Sequence, residues 1–118
     1  MYKLTVEGNF SSAHNLRGYQ GKCEDLHGHN WKVQVSVASA KLDKAGMVMD
    51  FKAIKKQLFA VLEELDHKYL NGLPYFKKVN PTSENIARYL YNMLHPRMKG
   101  LVSVTVWEND TSCAVYEK

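Results

Sequence analysis

The chain has 118 residues, 45% of them apolar and 24% charged, and carries a formal net charge of +4. This length suits one domain, 1–118, with a modest core, and no apolar run approaches a membrane span. The lysines are scattered, with Lys55-Lys56 and Lys77-Lys78 the only adjacent pairs; such a balance does not indicate a nucleic-acid partner and suits a small anionic substrate such as a phosphate ester.

Residues 2–8 alternate, with Tyr2, Leu4 and Val6 on one face and Lys3, Thr5 and Glu7 on the other, which predicts a half-buried strand. If the strand keeps its phase past Gly8, Phe10, Ser12 and His14 share the apolar face; a bulge there would flip the phase. The start MYKLTVEG alternates where a secretory leader would be an apolar block, so a cytoplasmic, membrane-free protein is expected. Cys23 and Cys113 are then not expected to pair. Cys113, in an apolar run, reads as a small core residue.

Residues 15–26 read as a loop and 29–40 as a second strand, with Trp31, Val33, Val35 and Val37 on one face. His27 and His29 have the parity of Trp31 and extend its face. With His14, three of the five histidines fall within sixteen positions. Three imidazoles without a fourth protein ligand suit a catalytic zinc site with an open position. The alternative is a polar loop with solvated histidines. Cys23, close by, is a candidate general base if a cation lowers its pKa, or else a buried loop cysteine.

Residues 50–65 have helical spacing, with Phe51, Ile54, Leu58, Val61, Leu62 and Leu65 in one stripe and Asp50 as N-cap. Asp66-His67 follows the helix end. There the helix dipole favours an imidazolium, and that is the simpler reading from the residues alone; a carboxylate orienting a proton-transferring imidazole is the other. A loop with Asn71-Gly72 and Pro74 leads to a second helix, capped by Thr82 or Ser83 and closed by Pro96, with Ile86, Tyr89, Leu90, Met93 and Leu94 as its stripe. His95, in its last turn, has no functional reading. Strands over 101–108 and 112–117 complete the chain. Glu108 shares the parity of Val102, Val104 and Val106. It is either a carboxylate on an apolar face, waiting for a bidentate N–H donor, or a solvated strand end. Strand, strand, helix, helix, strand, strand predicts an α+β fold with a four-stranded antiparallel sheet and both helices on one face.

Five motifs in this order resemble the 6-pyruvoyl-tetrahydropterin and 6-carboxy-tetrahydropterin synthase family over nearly the whole chain. They are Ser12-Ala13-His14, Cys23…His27-Gly28-His29-Asn30, Leu65-Asp66-His67-Lys68-Tyr69-Leu70-Asn71, Pro81-Thr82-Ser83-Glu84-Asn85 and Val106-Trp107-Glu108. The resemblance implies that His14, His27 and His29 bind Zn²⁺, that Cys23 is the general base, and that Asp66 and His67 form a proton relay. It implies that Glu108 anchors a pterin ring with Thr82 and Ser83 nearby. The implied fold is the T-fold, or tunnelling fold. The implied assembly is a ring, commonly a hexamer of two stacked trimers with pockets between subunits. The implied substrate is 7,8-dihydroneopterin triphosphate, and the short chain with its Asp43-Lys44-Ala45-Gly46 turn leans toward the 6-carboxy-tetrahydropterin product of queuosine and deazapurine synthesis. 6-Pyruvoyl-tetrahydropterin is an alternative. So is 6-hydroxymethyl-dihydropterin, because some relatives use a glutamate before His-Gly-His and Glu24 stands beside Cys23; otherwise Glu24 is a solvated loop charge. A non-catalytic zinc- and pterin-binding ring protein is the non-enzyme reading.

Overall fold

Two long strands organise the chain, which we describe from a computed structural model covering residues 1–21 and 24–118. β1 (Tyr2–His14) and β2 (His27–Ser39) pair antiparallel without a break, from Tyr2 opposite Ser39 to His14 opposite His27. Gly8 therefore does not bulge. Val6, Phe10, Ser12 and His14 all lie on the buried face. Gly8 is where the first helix comes closest: a Cβ there would stand 2.9 Å from Leu62 Cδ1 and 3.0 Å from Phe59 Cε1.

α1 (Phe51–Glu63) starts at Asp50, whose carboxylate accepts from the Lys52 N–H. Ile54, Leu58, Val61 and Leu62 are buried, and Leu65 just beyond the helix joins them. Phe51, placed in the same stripe by the sequence, is 50% exposed because it opens the helix beyond the edge of the core. β3 (Lys68–Tyr69) pairs parallel with Ser12–Ala13 of β1. This two-residue strand makes the sheet five-stranded, where periodicity predicts four; two residues are too short to show a period. The segment read as a loop around Pro74 contains a 3-10 turn (Leu70–Gly72) and a short helix, α2 (Pro74–Lys78), with Pro74 in its first turn.

α3 (Ser83–Leu94) is capped by Thr82, whose hydroxyl accepts from the Asn85 N–H. β4 (Leu101–Asn109) and β5 (Ser112–Glu117) form the final hairpin, and the sheet order is β3-β1-β2-β4-β5. α1 lies against β1, and α3 against β4 and β5. The core fills the space between: Phe10, Trp31, Val33, Val35, Val104 and Val106 from the sheet, and Leu58, Ile86 and Leu90 from the helices. The other sheet face is polar, with Thr5–Ser36, Ser11–Asn30 and Gln34–Glu7 hydrogen-bonded across strands. Cys113, expected in the core, is exposed, because β5 is an edge strand and its odd-numbered residues face away from α3. No helix among the described residues is long and apolar enough to cross a membrane.

Candidate active site

The register of the long hairpin builds the site. His14 and His27 are direct partners at its open end, and His29 lies opposite Ser12, one step inward on the same face. The three rings meet edge to face, with centroids 4.6–5.3 Å apart. Trp31 forms the floor beneath His14 and His29 and donates its indole N–H to the Ser12 carbonyl oxygen. Ser12 is fixed in turn, its hydroxyl donating to the Leu65 carbonyl oxygen.

Tautomers follow from the outer partners. His14 Nδ1 lies 2.7 Å from the Pro81 carbonyl oxygen, and His27 Nδ1 2.9 Å from that of Asp25. A carbonyl only accepts, so each Nδ1 carries the proton and each neutral ring presents an Nε2 lone pair inward. Those two Nε2 atoms face each other at 3.0 Å. Two acceptors at that distance need a cation between them. His29 Nε2 is buried without a hydrogen-bond partner; Glu108 Oε1 is 3.0 Å away but not aligned as a hydrogen bond. Burial holds the His29 pKa below the usual imidazole value, although Glu108 pulls the other way. The neutral ring is the one that ligates a metal.

Glu108 reaches this group through a β-bulge. Trp107 pairs with Cys113 and Asn109 with Ser112, so Glu108 is the extra residue on β4. A bulge re-aims a side chain. Here it sends Oε1 to 3.6 Å from His14 Nε2, while Oε2 accepts from the Ser83 hydroxyl at 3.3 Å. His14, His27, His29 and Glu108 thus offer four donor atoms, all within 4.8 Å of one another. Tetrahedral ligands about 2.0–2.1 Å from zinc sit about 3.3 Å apart, so this set fits a zinc-sized ion. A cleft of about 480 Å³ opens beside Glu108, between the start of α3 and β5; Ser83, Cys113 and Val115 line it.

The remaining candidates lie around this centre. Thr82 and Ser83 begin α3 next to Pro81, the partner of His14. Glu24 Oε1 accepts from the Leu16 N–H at 3.2 Å and stands 3.7 Å from His27 Nδ1, on the outer side of that ring. Asp66 and His67 are not in the cluster. They sit at the β3 edge of β1, where Asp66 Oδ1 accepts from the Ser11 N–H at 2.8 Å and Oδ2 is 2.9 Å from His67 Nδ1. The His67 side chain is 82% exposed. Cys23 lies outside the described residues. Sequence reasoning missed the Pro81 carbonyl, since a backbone acceptor leaves no mark in residue types. It also missed Arg17, whose guanidinium donates to the Phe76 and Val79 carbonyl oxygens and moors the loop after β1.

Comparison with known proteins agrees with this geometry. Residues 3–118 match the family described as 6-pyruvoyl tetrahydropterin synthase. The chain belongs to that family. Within it, a Synechocystis 6-carboxy-5,6,7,8-tetrahydropterin synthase is 41% identical over 125 residues, covering 98% of this chain and 93% of the relative. A Haemophilus influenzae protein of the same name is 33% identical over 142 residues, with both chains fully covered. The solved structure of Caenorhabditis elegans 6-pyruvoyl tetrahydropterin synthase superposes with a TM-score of 0.85 at 29% identity, covering 100% of this chain and 97% of that one. The fold is the T-fold of these synthases, with the short β3 added to the four strands expected.

Proposed function

We propose that this protein is a zinc-dependent lyase that converts 7,8-dihydroneopterin triphosphate to 6-carboxy-5,6,7,8-tetrahydropterin, acetaldehyde and triphosphate. The observation that carries the reading is the set of three imidazole Nε2 atoms turned toward one point with no donor between them. The names of the relatives in Synechocystis and Haemophilus influenzae favour this product over 6-pyruvoyl-tetrahydropterin.

His14, His27 and His29 would hold the zinc ion. Bound there, zinc supplies Lewis acidity toward the hydroxyl oxygens of the substrate side chain. Glu108 would accept the 2-amino and ring N–H groups of the pterin as a bidentate pair, beside Ser83 and Thr82. Cys23, as thiolate, takes the proton from the side-chain carbon next to the ring. His67, oriented by Asp66, carries protons between the substrate hydroxyls and water. Glu24, bonded to the Leu16 amide beside His27, acts as a positioning residue for that ligand.

Asp66-His67 and Glu108 lie on opposite sides of the β1–β2 pair, and the cleft beside Glu108 is walled by the edge strand β5. This supports a ring assembly, a hexamer of stacked trimers, in which His67 of one protomer completes the cleft of another. The test is Cys23→Ala. Turnover should vanish while zinc content, measured by atomic absorption, stays at the wild-type level. Full activity in this variant would remove Cys23 from its role.

A further inference from the structure

Glu108 is asked to do two things that one carboxylate cannot do together. Anchoring the N–H edge of a pterin requires both oxygens, side by side in one plane. In the ligand-free protein the two oxygens are divided. Oε1 is 3.0 Å from His29 Nε2 and 3.6 Å from His14 Nε2, while Oε2 takes the Ser83 hydroxyl. Oε1 thus stands where a fourth ligand of a three-histidine ion would stand.

We propose that Glu108 is a displaceable fourth metal ligand: it closes the metal site until a pterin ring draws its carboxylate away and opens the position that the substrate hydroxyls then take. The inference rests on the metal site proposed above. Three independent features support it. Four protein ligands make a closed site and three leave one position free, so whether Glu108 is on or off decides whether the ion is reactive. The histidines are held rigidly by carbonyl partners and by Trp31, with His14 only 2% exposed, whereas the Glu108 side chain is 34% exposed at the cleft. Glu108 is also the extra residue of a bulge, so its backbone is not locked to a β5 partner as its neighbours are. The ring and the ion therefore compete for a carboxylate placed between them. A site wired this way exposes its electrophile only when a pterin is seated, which limits idle chemistry on other hydroxyl compounds.

The experiment uses the full chain loaded with Co²⁺, whose visible absorption reports the number and kind of its ligands. Wild type and Glu108→Gln are compared for Co²⁺ affinity by chelator competition. Each is then titrated with unsubstituted pterin, which has the N–H edge but no side chain to reach the metal. The expected result is Co²⁺ binding weaker by about ten- to a hundredfold in Glu108→Gln, and a wild-type spectrum that shifts on adding pterin toward the one Glu108→Gln already shows. Equal Co²⁺ affinity and identical spectra in the two proteins would overturn the proposal while leaving the three-histidine site intact. Tighter chelation in the variant, or a wild-type spectrum unmoved by saturating pterin, would also overturn it. Failure of wild type to bind Co²⁺ at all would instead bring down the metal site on which it rests.

Discussion

Asp66 accepts the Ser11 amide on one oxygen and faces the His67 ring with the other. The Ser11 N–H is the main reason its carboxyl is held below the usual range, and His67 adds to the effect. A group whose folded pKa is depressed contributes stability above its unfolded pKa of about 4 and loses it as the pH falls through the lower folded value. Wild type should therefore lose melting temperature more steeply than Asp66→Asn on acidification below about pH 4. Parallel acid limbs in the two proteins would mean that the Ser11 contact does not discriminate between protonation states. Glu24→Ala belongs at this scale too. It should loosen the loop at Leu16 and weaken metal binding through His27 without changing the product. A switch to 6-hydroxymethyl-dihydropterin would make Glu24 a proton-transfer group instead.

Among elements, the contact of α1 with β1 is the tightest. Gly8→Val forces branched carbons against Leu62 and Phe59 and should destabilise the protein by about 1–3 kcal/mol in urea unfolding. Gly100→Ala should cost about as much for a different reason: Gly100 has φ +85° and its Cβ would stand 2.7 Å from the Ala38 carbonyl oxygen. Wild-type stability in either variant would contradict the packing described. Much of this level was readable in advance. The parity of His27, His29 and Trp31 put two imidazoles on one face, and Asp50 and Thr82 marked their helices through capping chemistry alone. The continuity of β1 through Gly8 was not readable, because a glycine allows a bulge without requiring one. Glu108 was legible only in part: its parity suggested the inner face, but the bulge that aims it depends on β5, a partner no local pattern names. Cys113 was misplaced because an apolar run on an edge strand looks like one in the core.

At the level of the whole molecule, one side of the sheet carries the helices and the core, and the other is polar and open. The edge strand β5 leaves Val115 55% exposed beside the cleft. A ring that covers this edge accounts for an apolar side chain there. Val115→Lys should lower the mass measured by sedimentation toward that of the protomer and reduce turnover with it. A monomeric wild type with full activity would exclude a shared site. The central claim, a zinc lyase specific for one pterin product, is tested most directly by incubating zinc-loaded protein with 7,8-dihydroneopterin triphosphate and identifying the pterins by mass spectrometry. The expected result is 6-carboxy-5,6,7,8-tetrahydropterin with acetaldehyde in equal amount, abolished by chelation and restored by zinc. Release of 6-pyruvoyl-tetrahydropterin or 6-hydroxymethyl-dihydropterin as the main product, or no turnover by fully metallated protein, would contradict it.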